Sequence, residues 1–169
     1  DVFFEVFIQD NYEDYLSNIG GIRQAFNAAI SASQMADQYL TYFKKHDPSK
    51  VKSFDKIGDF IEYLSINTND CFRDIRSIAN AYKHLYISYD PKTAIHWTIT
   101  SPGAIESISF IGKKSEIKEI TEEFTPESDY IKSKVVYTRK DGKKIDFLPT
   151  LETVIKFWEK ILYQTYHIK

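Results

Sequence analysis

Cysteine is almost missing from this chain: Cys71 is the only one in 169 residues. That excludes an intramolecular disulfide and a cysteine-based zinc cluster within the sequence. Histidine is scarce too, with four residues set among no clustered carboxylates, and neither an HExxH pattern nor an EF-hand loop occurs. No metal is therefore expected. Without a GxxxxGK[ST] or GxGxxG loop, no nucleotide cofactor is expected either. No uninterrupted apolar run approaches the ~18 residues that a membrane-spanning helix needs. The stretch "DVFFEVFI" is short, carries acids and lacks the basic flank of a signal peptide. A lone cysteine suits a reducing compartment. Together these absences set the expectation of a cytoplasmic protein with no membrane contact. Low-complexity tracts and repeats at solenoid periods are missing as well, which argues against a linker or an array.

Charge of one sign is also lacking. Lys and Arg total 22 against 24 Asp and Glu, a formal net charge of −2. No global field draws the chain to nucleic acid or anionic lipid, so any such binding needs a local basic patch. What is present is material for a core: 43% hydrophobic residues, with 12 Phe and 12 Tyr. Rings with hydroxyl tips are expected to fill the interior.

Apolar residues fall at helical spacing as far as residue 90. Ile22, Phe26, Ala29, Ser33, Ala36, Leu40 and Phe43 form one stripe, ended by "HDP" because Pro48 disfavours helical geometry at Asp47. Gly20-Gly21 marks a break, setting off Tyr12 to Ile19 as a separate short helix. "KVKSFDKIGDFIEYLSI" fits a further helix through Phe54, Ile57, Phe60, Ile61 and Leu64. "NTND" follows as a loop, with Asp70 as the expected N-cap of the next helix. The period then changes to two. "AIHWTIT" and "AIESISFIG" read as strands joined through "SPG", and "KVVYTRKDGKKIDF" reads as a hairpin about Asp141-Gly142. "SEIKEITEEF", residues 115–124, suits either a helix or a strand. A last helix is expected from about Leu151, capped at Thr150, burying Val154, Ile155, Trp158, Ile161 and Leu162.

The expected fold is α+β within a single domain, residues 1–169. Residues 1–90 make an N-terminal antiparallel helical bundle and residues 91–148 an antiparallel β-meander. Residues 149–169 make a C-terminal helix that packs back on the bundle.

"FRDIRSIANAYKHLY", residues 72–86, carries the candidate site. On a helical wheel Phe72, Ile75, Ile78, Ala79, Tyr82, Leu85 and Tyr86 share the core side. Arg76, Asn80 and His84 follow one another at about 40° on the other side, since four residues exceed one turn by that angle. Arg73 projects between Asn80 and His84, and Asp74 and Ser77 flank the group. Such a set suits metal-free phosphodiester cleavage. An imidazole with a pKa near ~6.5 takes or gives the proton. A guanidinium braces the phosphate. An amide orients either partner. The substrate for that chemistry is RNA, which supplies an internal 2′-hydroxyl nucleophile.

"IANAYKHL" within a helical region resembles the HEPN superfamily, small helical proteins that include ribonuclease toxins and defence components. Its pattern places a polar residue, often Asn, four before a His, as Asn80 and His84 stand here. "CFRDIRSIANAYKHLY", preceded by "AFNAAISASQMADQYL", is also similar to a group of uncharacterised proteins with an Ala-Asn-x-x-Lys-His signature. The resemblance covers residues 22–88. It implies a metal-independent endoribonuclease or an RNA-binding protein of a toxin or defence system. It further implies a homodimer, and RNA or a cognate antitoxin as partner. His84, Asn80 and Arg76 would then be catalytic, with Arg73, Ser77 and Lys83 as binding residues. The chain departs from the pattern at Ala79, which occupies the place of the arginine before the polar residue. Arg76 lies one turn earlier on the polar face and replaces that group only if the phosphate sits further towards the helix start, with Arg73 as a second substitute.

Other readings stand beside this one. The polar row also fits a solvated face or a hydrogen-bonded helix contact. The whole chain also fits a protein–protein interaction module that keeps the fold without catalysis. His96 suits a sheet surface, while His46 and His167 suit helix ends. Lys113-Lys114 and "RKDGKK" suit edge protection at hairpin turns, or a weak RNA contact. Cys71 suits a half-buried structural thiol.

Overall fold

The computed structural model describes residues 2–83, 97–99, 101–112 and 130–163. Among them helices come first and a small antiparallel sheet follows, before a last helix, which is the mixed helix and sheet expected of an α+β chain. Phe4–Gln9 has π-helical geometry and runs directly into α1, Asp10–Ser17. Phe4, Ile8 and Tyr15 point inwards from this segment. At Asn18 the helix stops. The following turn lies so close to the sheet that a Cβ on Gly20 would stand 2.5 Å from that of Ser133. The Val135 amide donates to the Ile19 carbonyl at 3.2 Å in the same place. Glycine is thus required here for close approach as much as for a break.

Helix α2, Ile22–His46, carries the expected stripe, all buried except Ile22. Ala25, Ala28, Ala32, Met35 and Tyr39 form a second buried row beside it, so α2 is covered on two sides. It ends where proline dictates, with Pro48–Val51 forming a 3₁₀ turn. Helix α3, Ile57–Asn67, starts later than the periodicity suggests. The Asp59 carboxylate accepts the Lys56 amide at 3.1 Å and fixes that start, leaving Phe54 outside the helix with its ring 4.9 Å from Phe60.

Helix α4 is Cys71–Lys83. Asp70 precedes it with φ at 63°, yet the side chain that accepts the Phe72 amide is the Thr68 hydroxyl, at 3.0 Å. The expected cap thus moves two residues back, and Asp70 pairs with Arg73 instead. Residues 97–99 are not strand. Thr98 donates its amide to Ser77 Oγ and accepts the Lys140 amide, which ties this segment to α4 and to the hairpin turn. The rest of "AIHWTIT", the stretch 115–124, His96, His167 and Lys113-Lys114 lie outside the described residues.

Strands β1 (Ile105–Gly112), β2 (Tyr130–Thr138) and β3 (Lys144–Asp146) form one antiparallel sheet in that order. The β2–β3 turn is the expected Asp-Gly one, with Gly142 at φ 85°. Helix α5, Phe147–Tyr163, leaves β3 at once, so Thr150 lies within its first turn rather than capping it. Trp158 of α5 sits at the centre of the interior. Its ring meets Tyr39 of α2, Phe60 of α3 and Phe72 of α4 at centroid distances of 6.0, 6.1 and 6.0 Å. Its indole N–H donates to the Ala32 carbonyl at 3.1 Å. One apolar cluster runs from Phe4 through these helices to Ile105, Val135 and Tyr137 of the sheet.

Candidate functional site

Helix α4 is buried over a wider arc than its apolar pattern suggests. Phe72, Ile75, Ile78 and Ala79 are covered as expected, and Asp74, Ser77 and Ala81 are covered as well. Tyr82 departs from the expectation of a core position. Its side chain is 46% exposed and its ring lies on Phe26 at 4.5 Å. The arc left to solvent holds Arg73, Arg76, Asn80 and Lys83, the first three half-buried and Lys83 exposed. Arg76 and Asn80 do share a face with Arg73, as the spacing requires. His84, Leu85 and Tyr86 lie outside the described residues. Ser77, expected as a binding residue, faces inwards. It donates to the Arg73 carbonyl at 2.8 Å and accepts the Thr98 amide at 3.1 Å, so its hydroxyl is engaged within the fold.

Between α3 and α4 runs an open groove of about 600 Å³. Gly58, Asp59, Ile61 and Glu62 line one side, Arg73 and Arg76 the other, and Trp97 joins them. Arg73 donates to Glu62 across it at 2.8 Å and approaches Asp70 at 3.5 Å. Arg76 lies 3.5 Å from Asp37 of α2. These ion pairs are partly exposed and contribute little to stability. Their effect is to hold two planar guanidinium groups on one wall of a groove whose other wall carries the Asp59 and Glu62 carboxylates beside Ile61.

A second polar cluster, missed from the sequence, lies on the opposite side of α4. The Asp74 carboxylate is fully buried. It accepts from Arg139 Nε at 3.0 Å and from Arg139 Nη2, and from the Tyr137 hydroxyl at 2.6 Å. Tyr137 in turn lies 2.9 Å from Thr150 Oγ1. Burial, reinforced by the neighbouring Asp74 charge, holds the Tyr137 phenol far above its ordinary pKa. The hydrogen bond to Asp74 raises Arg139 as well. Arg139 belongs to "RKDGKK", expected to be a surface cluster; it turns inwards, while Lys144 pairs with Glu106 outside. The cluster joins α4, β2 and α5 with every group partnered, which suits a clasp better than a reaction centre.

Cys71 is half-buried, and burial pushes its thiol up, away from the reactive thiolate. Among the described residues no group of three or more His, Cys, Asp or Glu is placed to hold a metal, and no helix is long and apolar enough to cross a membrane. No protein-family model, curated protein or solved structure matches the chain.

Proposed function

We propose that this is an HEPN-like protein, its helices forming an antiparallel bundle, that handles RNA on the exposed face of α4. The observation that carries this reading is the groove in which Arg73 and Arg76 stand opposite α3 beside Trp97. Paired guanidiniums suit phosphate, and an indole suits an unstacked base. In the catalytic form of the proposal, His84 takes the proton of a ribose 2′-hydroxyl as its oxygen bonds to phosphorus and the 5′-oxygen leaves with a proton returned to it. Arg76 braces the phosphate in place of the arginine absent at Ala79, and Asn80 orients the reacting groups. Such chemistry is metal-independent, with RNA as substrate and a cognate antitoxin as the fitting partner.

One observation favours a second reading, the non-catalytic interaction module. Arg73 and Arg76 already hold carboxylates of their own chain. Incubation of unstructured RNA with the purified protein in excess EDTA separates the two, alongside growth of cells expressing it. Wild type should bind and cleave the RNA and slow growth, and His84→Ala should bind without cleaving. Binding without cleavage by either protein would leave an RNA-binding role and end the ribonuclease one. No binding by either would favour the interaction module.

A further inference from the structure

We infer that the α3–α4 groove is a subsite for one unpaired nucleotide, whose base stacks on Trp97 while its phosphate replaces Glu62 on Arg73. The inference rests on the RNA reading of this face and narrows it to single strands. A volume of about 600 Å³ lies within the ordinary range for a small-ligand site. Gly58 adds no side chain to the α3 wall, and nothing occupies the space that a Cβ would take there. Trp97 stands on a fixed base. The next residue is held by Ser77 on one side and by the Lys140 amide on the other, and Ile99 beyond it is buried. A ring presented on pinned backbone loses little freedom when it stacks.

The anionic half of the ligand has a stand-in already. Glu62, half-exposed, places a carboxylate oxygen 2.8 Å from Arg73 Nη2, at the distance of a charge-assisted hydrogen bond. A phosphate oxygen can exchange with it while Glu62 turns to water. Arg76, one turn along the same wall, meets the same phosphate or its neighbour once it parts from Asp37. Bases inside an A-form duplex are stacked on one another and offer only their edges, whereas an unpaired base can enter the groove face-on.

Tryptophan fluorescence reports this directly, because the only other tryptophan, Trp158, is fully buried in the core. The probes are 5′-phosphorylated hexauridylate, the same chain with abasic positions, a fully paired RNA hairpin, and uridine monophosphate. Hexauridylate should quench the fluorescence and bind about tenfold or more tighter than the abasic chain, the value of one stacked base. It should also bind tighter than the hairpin or the monophosphate. Trp97→Ala should lose the quench and the preference over the abasic chain. Trp97→Phe, which keeps a ring in place should Trp97→Ala fold poorly, should retain the preference without the quench. Equal affinity for intact and abasic chains, with Arg76→Ala still weakening both, would overturn the subsite and leave the RNA reading standing. Equal affinity for the monophosphate would overturn the assignment to RNA single strands. No binding of any RNA would overturn both proposals.

Discussion

Asp74 shows what a single carboxylate does when it is taken out of water with its partners arranged around it. Removing one member of a buried charged cluster leaves the others uncompensated, which costs about 3–5 kcal/mol when all are fully buried. Arg139 retains some solvent access, so the lower end applies. Urea unfolding should show Asp74→Ala destabilised by about 3 kcal/mol and Tyr137→Phe, which loses the hydrogen bonds to Asp74 and Thr150, by about 2 kcal/mol. An Asp74→Ala variant as stable as wild type would show that the clasp does not bind α4 to the hairpin. Glu62 makes the opposite case, because in the proposed subsite its pair with Arg73 would have to give way to phosphate. Glu62→Gln should tighten hexauridylate binding several-fold when Arg73 is intact and leave it unchanged in an Arg73→Ala background. An equal gain in both backgrounds would mean that Glu62 acts only through overall charge.

At the scale of elements, much was legible where one periodicity ruled. The α2 stripe, its stop at Pro48, strand β1 and the Asp141-Gly142 hairpin follow from local chemistry and are found as expected. Departures arise where a side chain answers to a distant element. Nothing near Thr68 distinguishes it from Asp70 as a cap, because the left-handed backbone at Asn69 and Asp70 decides between them. Asp74 and Ser77 look like solvated residues until the hairpin and the Thr98 segment cover them. The hint was that Ala81 continues their row one turn on, giving α4 a second small-residue face. Arg73, Arg76 and Asn80 were placed on one face by arithmetic alone, whereas their groove needs α3 and Trp97, which lie far apart in sequence. Three substitutions test these element contacts by thermal unfolding. Thr68→Ala should cost about 1 kcal/mol, a typical cap, and Asp70→Ala clearly less. Gly20→Ala should cost about 1–3 kcal/mol because the new methyl meets Ser133 on β2. Neutral behaviour of Gly20→Ala would mean that the α1–α2 turn does not press on the sheet.

Across the whole molecule, helices and sheet share an interior rich in aromatic rings, and two buried phenols tie its stability to alkaline pH. Burial pushes Tyr15 up to about 12, and Tyr137 is raised further. In the unfolded chain both ionise near ~10. The native state therefore holds these protons more tightly, so their contribution is full below pH ~10 and is lost as pH rises through the folded values. Unfolding free energy should fall steadily above pH ~10, and Tyr15→Phe should make that fall shallower. An unchanged profile in Tyr15→Phe would place the alkaline sensitivity elsewhere. The same molecule presents to solvent a groove walled by Arg73 and Arg76, the wall proposed to meet RNA phosphates. The most direct test is the affinity for an unstructured RNA, measured over a range of salt concentrations for wild type and for the Arg73→Ala/Arg76→Ala double variant. The double variant should bind at least about tenfold more weakly. Its log–log salt slope should be shallower by about 1.4, because each single-strand phosphate that an arginine neutralises adds ~0.7 to the slope. Identical affinity and slope in the two proteins would show that Arg73 and Arg76 do not meet RNA phosphates.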